Sequence, residues 1–170
     1  MVPVSNQIAA IVVACSLPIL AADVQLQGVR NFHRVSDLLY RGGQPSDEGF
    51  RNLAQLGVKT VIDLRRGDEH STEHEQQTVE AAGMQYVNVP MLGIVAPSEG
   101  QIAEILELLD SKEPVFGHCL EGKDRTGVVI ASYRIAHDGW TNTAALHEAN
   151  SYGNALVRVG HEVLYPDLSS

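Results

Sequence analysis

The chain reads HCLEGKDRTG over residues 118–127, after the apolar run 114–117 and before the helix-prone run 128–131. This order predicts a strand, a tight turn and a helix N-terminus, where backbone N–H groups and the positive end of the helix dipole converge. Cys119, at the start of such a turn, is stabilised as a thiolate, the nucleophilic form of cysteine. Arg125, at its end, offers a planar pair of donors that suits phosphate oxygens. The stretch therefore predicts phosphoryl transfer through a cysteine nucleophile.

We predict that the phosphate group lies against the backbone that follows Cys119. A helix N-terminus alone stabilises an anion by about 0.3–1 kcal/mol, so the loop amides, Arg125 and the Thr126 hydroxyl must supply the rest. Thr126 could also cap the following helix. Glycine inside the loop allows a backbone conformation that other residues rarely adopt. The predicted phosphate-binding residues are Leu120, Glu121, Gly122, Lys123, Asp124 and Arg125.

The loop resembles the signature Cys-x5-Arg-Thr-Gly of cysteine-dependent protein tyrosine and dual-specificity phosphatases. Residues 39–46 (LYRGGQPS) and 56–65 (LGVKTVIDLR) resemble the front half of compact dual-specificity phosphatase domains. The likeness extends over about residues 28–155 and includes segments similar to bacterial members. It implies that His118 orders the loop and helps to activate Cys119. It also implies a reaction that uses no metal ion and no other cofactor.

The chain departs from this pattern at the position of the general acid. The resemblance implies an Asp on the loop after the strand predicted at 85–89, where it would protonate the leaving oxygen, but residues 90–99 contain no Asp. Asp124 and Glu99 are the carboxylates left within reach. We favour Asp124, because Lys-Asp before the arginine resembles loops of bacterial multi-specificity and lipid phosphatases. Asp124 could instead pin the loop by accepting amide hydrogen bonds, and Glu99 is expected only to charge a helix N-terminus.

Strand and helix patterns alternate along the chain. Period-two or β-branched runs predict strands at 60–64, 85–89 and 114–118, with one or two short edge strands within 32–41. Capping and periodicity predict helices after Ser46, over 69–82, after Ser98, over 126–137 and after Thr141. The prediction is an α/β protein: a single compact domain with a central, mostly parallel sheet flanked by helices, dual-specificity phosphatase-like. Cys119 falls at the C-terminal end of a strand, where such sheets bind ligands.

Residues 1–22 differ in composition from the rest. The run from Ile8 to Ala22 carries no charge and ends in small residues before Asp23, which predicts a signal peptide followed by a phosphatase domain over 23–170. We therefore expect a periplasmic or secreted protein without a stable membrane span in the mature chain, because the run is short for one. An uncleaved N-terminal anchor is the alternative. Removal of the segment would leave Cys119 as the sole cysteine, unable to form an internal disulfide.

The net charge of −9 and the lack of a Lys/Arg cluster argue against a nucleic-acid binder. Affinity for phosphate must therefore come from the loop itself, because the rest of the surface would repel an anion. Arg65 and Arg66 follow a strand at the same end of the sheet, and an ion pair with Asp63 or Glu69 is the expected role of Arg65.

A helix face that bears His70 and His74 beside Glu73 could hold a metal ion. We favour a solvated polar helix there, because no third ligand is suitably spaced.

The resemblance implies a phosphomonoester hydrolase whose substrates are proteins phosphorylated on tyrosine, serine or threonine, with a small phosphomonoester also in range. A phosphoinositide or inositol phosphate is the alternative substrate, because Lys123 could meet a second phosphate. The missing loop Asp leaves a third reading open, in which the chain is a catalytically silent phosphate-binding module. A sulfurtransferase-like loop is disfavoured because Arg125 would then have no role.

Overall fold

The computed structural model describes residues 25–93 and 97–153, so the predicted signal peptide at 1–22 lies outside the described residues. Within them are five strands and five helices, which alternate after the first hairpin. The strands are β1 (His33–Arg34), β2 (Leu39–Gly42), β3 (Thr60–Asp63), β4 (Gln85–Asn88) and β5 (Val115–His118). The helices are α1 (Asp47–Gln55), α2 (Thr72–Ala81), α3 (Glu99–Leu109), α4 (Asp124–Ala136) and α5 (Asn142–Ser151).

The strands form one sheet in the order β1-β2-β5-β3-β4. β1 pairs with β2 in antiparallel fashion, and every other pair is parallel. The prediction of a single α/β domain with a mostly parallel sheet is confirmed. β5 occupies the centre of the sheet, with Gly117 opposite Arg41 of β2 and Ile62 of β3. The loop that follows β5 therefore emerges between the C-terminal ends of two neighbouring strands.

Both faces of the sheet are covered. One apolar cluster joins the sheet to α3 and α4 through Ile105, Leu109 and Val129, and the other joins it to α1 and α2 through Leu53 and Val79. Burial of each such aliphatic side chain contributes about 1.5–3 kcal/mol, and together they fix the centre of the sheet. Helices α4 and α5 meet through small residues, among them buried alanines. No helix within the described residues is long and apolar enough to cross a membrane.

Four helices begin at a capping side chain. The hydroxyls of Ser46, Ser71, Ser98 and Thr141 each accept a hydrogen bond from the backbone N–H three residues later. Ser98 and Gln101 form a capping box, since both reciprocal bonds are present, and the helix predicted after Ser98 is confirmed. Helix α2 begins at Thr72 rather than Glu69, because the preceding residues form a turn and Ser71 is the cap.

Helix α4 begins at Asp124, two residues before the predicted start, and its N-cap residue Lys123 makes no side-chain capping bond. The first turn of α4 is therefore part of the signature loop and includes Arg125. The first backbone N–H groups of a helix have no partner within the helix. Here they lie where an anion is predicted to bind, which accounts for the missing side-chain cap.

Candidate active site

Cys119 is the first residue after β5 and is only 3% exposed. The loop from Cys119 to Lys123 leads from the centre of the sheet into α4, and Arg125 follows in the first helical turn. The structure therefore brings the predicted nucleophile and the predicted phosphate-binding arginine to the two ends of one short loop. This is the arrangement that the sequence predicts.

Arg125 is held by a carboxylate that the sequence analysis did not assign to it. Its Nη1 and Nη2 donate to Oε1 and Oε2 of Glu69 at 2.7 and 2.8 Å, and Nη1 also lies 3.4 Å from the carbonyl oxygen of Leu64. These bonds leave Nε and one proton of Nη2 as donors, so Glu69 and Leu64 fix the guanidinium without using all of it. The arginine is preorganised for an anion.

The electrostatics of this pair follow from its geometry. Burial acts to lower the pKa of Arg125, but the hydrogen bonds to Glu69 and the neighbouring Cys119 raise it above its usual value. The hydrogen bond from Arg125 holds the pKa of Glu69 below its usual value, although partial burial opposes this. Glu69 is thus an anion at neutral pH. It positions Arg125 and is a poor proton donor.

The signature loop rests on the turn after β2 through contacts between backbones. Gly122 has a φ of +69°, and a methyl group in its place would lie 2.5 Å from the amide nitrogen of Gly43. A methyl group at Gly43 would lie 2.9 Å from the carbonyl oxygen of Leu120. That carbonyl oxygen accepts a hydrogen bond from the backbone N–H of Gln44 at 3.0 Å. Only glycine allows such an approach.

A buried network of charges lies behind the loop. Arg65 contacts Asp63 through Nε at 2.9 Å and also pairs with Glu75 of α2. The expected ion pair between Arg65 and Asp63 is confirmed. The Tyr86 hydroxyl donates to Asp63 at 2.9 Å, and His70 Nε2 lies 2.7 Å from the same carboxylate. Because unpaired buried charges are strongly unfavourable, these groups depend on one another.

The expected solvated helix at His70 and His74 is wrong for His70. The ring of His70 precedes α2 and is mostly buried beside Asp63 and Glu75, whereas His74 is exposed on the helix. The ligand atoms of Asp63, His70 and Glu75 lie within 4.8 Å of one another. Arg65 pairs with both carboxylates of this group, so a guanidinium supplies the balancing positive charge.

His118 connects this network to Cys119. It is fully buried, its Nε2 lies 3.0 Å from Oε1 of Glu75, and its Nδ1 is 3.3 Å from the carbonyl oxygen of Cys119. Its ring stacks on Phe116. Burial acts to raise the pKa of Asp63, but His118 and Arg65 together hold it below its usual value. The loop-ordering role that the resemblance implies for His118 thus involves a carboxylate from α2.

The predicted acid and the residues that flank the loop differ in their exposure to solvent. Asp124 is the partly exposed first residue of α4, and Glu99 is the exposed first residue of α3. Gly93, on the loop after β4, lies against Arg125, where a methyl group would be 3.8 Å from Nε. Thr126 is buried as the third residue of α4, so it is not the helix cap, and its hydroxyl has no partner among the described residues.

The sequence does not indicate which glutamates pair with Arg125, His118 and Arg65. Glu69 and Glu75 lie in a polar stretch that predicts solvent exposure, and nothing in its pattern distinguishes one from the other. A buried partner for Asp63 could have been predicted from the sequence, because a charged residue at the end of a buried β-branched strand requires one.

We predict that Asp63→Asn lowers the free energy of unfolding by about 3 kcal/mol at neutral pH, because it removes one of the two buried carboxylates that balance Arg65 and leaves only Glu75 for this role. The folded-state pKa of Asp63 is lowered, so its contribution is present above the unfolded pKa and lost as pH falls through the folded value. The difference between variant and unaltered chain should therefore shrink below about pH 4. Chemical denaturation at several pH values measures it.

The matched control is Asp37→Asn, in which the carboxylate is 93% exposed and pairs with Arg34. This change should alter stability by under about 1 kcal/mol. An equal loss for Asp63→Asn at every pH would contradict the role of its charge.

Comparison with known proteins gives concordant results. Residues 23–162 match the family described as DSP-PTPase phosphatase fused to NAD+ kinase. The dual specificity protein phosphatase TpbA of Pseudomonas aeruginosa is 31% identical over 126 residues, which cover 72% of this chain and 55% of TpbA. The chain thus spans about half the length of this curated relative.

Two solved structures share the fold. A cysteine-to-serine variant of P. aeruginosa TpbA in complex with pTyr has a TM-score of 0.67 and 25% identity, covering 82% of this chain and 89% of that one. The core catalytic domain of the PP-IP phosphatase SIW14 from S. cerevisiae, in complex with citrate, has a TM-score of 0.69 and 25% identity, covering 79% and 85%. With its signature loop, its parallel sheet and this match over most of its length, the chain belongs to the DSP-PTPase family of phosphatases.

Proposed function

We propose that this chain hydrolyses phosphomonoesters through a phosphocysteine intermediate, with phosphotyrosine, phosphoserine and phosphothreonine of proteins as its substrates. The observation that carries the proposal is the pair of Cys119 and Arg125 at the two ends of the loop, with Arg125 fixed by Glu69. The complex of TpbA with pTyr supports the substrate class.

The first step transfers the phosphoryl group to sulfur. The Cys119 thiolate attacks phosphorus in line with the leaving oxygen, so that an S–P bond forms as the P–O bond breaks. Arg125 and the backbone N–H groups of residues 120–125 stabilise the negative charge on the transferring oxygens. The leaving oxygen takes a proton from the general acid, for which we propose Asp124.

The second step restores the enzyme. A water molecule attacks phosphorus, the S–P bond breaks, and inorganic phosphate leaves with the thiolate regenerated. The carboxylate formed in the first step accepts the proton of the water. The Thr126 hydroxyl, two residues after Asp124 and next to Arg125, is suited to donate to the thiolate as it leaves. Its burial without a partner among the described residues supports this role.

The rim of the site favours an aromatic phosphoester over a polyphosphate. Leu120 on the loop and Leu92 after β4 are 46% and 49% exposed, which gives apolar surface for a tyrosine ring. Lys123, the predicted second phosphate ligand, lies 3.7 Å from the Glu121 carboxylate. Arg66 pairs with Asp68. Local carboxylates therefore offset both cations. The similarity to the inositol diphosphatase DSP2 of Oryza sativa keeps inositol phosphates as the second candidate substrate.

Cys119→Ser should abolish turnover of a phosphotyrosine peptide while phosphate binding persists, because the loop amides and Arg125 remain. Turnover of peptides and inositol phosphates, with and without chelator, and calorimetry with inorganic phosphate test this. Faster turnover of inositol phosphates by the unaltered chain would reassign the substrate. Binding without turnover would mark a silent module, and loss of activity with chelator would contradict a metal-independent reaction.

Asp124→Asn should slow hydrolysis of a phosphoserine peptide by about 10²–10⁴-fold and an activated aryl phosphate far less, since a good leaving group needs little protonation. The basic limb of the pH–rate profile should also disappear. The matched control is Glu99→Gln, in which an exposed carboxylate at another helix start is neutralised. Equal slowing of both substrates would show that Asp124 only supports the loop.

We also propose that the protein is exported. The uncharged apolar run that ends at Ala22 supports this. The mature N-terminus should lie near Ala22 or Asp23, and the protein should be recovered outside the cytoplasm. Intact-mass measurement of the fractionated protein tests this, and full-length chain in the cytosol would contradict it.

A further inference from the structure

Arg41 belongs to the motif YRGGQP but not to the reaction described above. It lies on β2, opposite Gly117 of β5. Because β2 and β5 are adjacent strands, the backbone of Arg41 lies beside the residues that precede Cys119. Its exposure is 0%. Its Nη2 donates to the carbonyl oxygen of Gly122 at 2.6 Å, whereas Nε and Nη1 have no hydrogen-bond partner among the described residues. A fully buried guanidinium with one hydrogen bond is unfavourable unless another interaction compensates it.

The Gly122 carbonyl oxygen has a second donor. Nδ2 of Asn31 lies 2.9 Å from it and 3.2 Å from the carbonyl oxygen of Tyr152. Asn31 has a φ of +50°, and its Oδ1 lies 3.0 Å from Nε2 of His33, which fixes the amide. Two donors thus hold this carbonyl oxygen against the β2 side of the loop. A carbonyl held there cannot turn its negative end toward a bound phosphate.

The charge of Arg41 is not balanced by a direct partner. Among the described residues no carboxylate forms an ion pair with it, and its guanidinium lies over the Tyr152 ring, 4.1 Å from the centroid. Burial lowers the pKa of Arg41 to about 10, while Tyr152 just after α5, Cys119 of the loop and Glu148 of α5 oppose this effect. Arg41 therefore remains a cation at neutral pH. Glu148 itself pairs with Arg134, so among the described residues Cys119 is the group left for Arg41 to stabilise as an anion.

We propose that Arg41 is a positioning residue of the active site: it locks the Gly122 carbonyl away from the phosphate and supplies a buried positive charge behind the Cys119 thiolate. The proposal rests on the proposed function. It assigns two arginines to one loop, with Arg125 in contact with the phosphate in front and Arg41 acting through the backbone from behind.

The test compares Arg41→Met with Arg41→Lys. In the methionine variant the affinity for inorganic phosphate, measured by calorimetry, should fall at least tenfold. The pH at which iodoacetamide alkylates Cys119 at half its maximal rate should rise by about one unit, because the thiolate loses a neighbouring cation. Lysine should restore most of the alkylation profile and little of the phosphate affinity, since it keeps the charge but not the planar donor.

The matched control is Arg134→Met. Arg134 also lies over an aromatic ring, 4.6 Å from the Trp140 centroid, but it joins α4 to α5 through Glu148 and not to the loop. The Arg134→Met change should lower the free energy of unfolding without changing phosphate affinity or the alkylation profile. If Arg41→Met lowers only stability, as the control does, Arg41 is a structural residue and the proposal is wrong.

Asn31→Gly provides a second test if Arg41→Met does not fold. Glycine keeps the positive φ and removes the uncharged amide that donates to the carbonyl oxygens of Gly122 and Tyr152 and contacts His33. Phosphate affinity should fall severalfold with an unchanged alkylation profile, because no charge is lost, and unchanged affinity would overturn the positioning argument. The unaltered chain separates the two hypotheses. If it does not bind phosphate, the proposed function fails; if it binds and the variants bind equally well, only the role of Arg41 fails.

Discussion

The close contact between the backbones of Gly122 and Gly42–Gly43 is the constraint on which the active site depends. Side chains at these positions would separate the loop from the sheet. Because they are absent, Gln44 and Arg41 reach the loop carbonyls of Leu120 and Gly122. With those carbonyls held on one side, the loop amides and the first turn of α4 are left for an anion on the other. The polarity of the loop thus follows from how closely it packs on β2.

Charge is arranged around this loop in two layers. In front, Glu69 orients Arg125 and remains an anion, so the arginine is preorganised but the carboxylate cannot serve as the acid. Behind, Asp63, Arg65 and Glu75 form a buried network that reaches Cys119 through His118. Removing a buried partner leaves an uncompensated charge. The stability of the fold and the reactivity of Cys119 as the proposed nucleophile therefore depend on the same few groups.

The overall surface is acidic, with a net charge of −9, so attraction to phosphate arises only locally. Lys123 lies near Glu121, and Arg66 pairs with Asp68. The cations at the rim are thereby weakened as ligands for further phosphates. Arg125 and Arg41, which are both largely shielded from solvent, carry most of the positive charge at the loop. This distribution supports the proposed substrate, a single phosphate on an aromatic group, over a densely phosphorylated ring.

Local sequence patterns were enough to predict the mostly parallel α/β fold, the helix caps at Ser46, Ser98 and Thr141, and the presence of Cys119 and Arg125 on one loop. These features depend on residues close together in the chain, where periodicity and capping act. The start of α4 was misplaced because the signature loop itself forms its first turn. The three-dimensional fold was needed to show that Glu69 holds Arg125 from 56 residues away and that Arg41 holds Gly122 from 81 residues away. Which charges meet depends on the strand order, which no local pattern encodes.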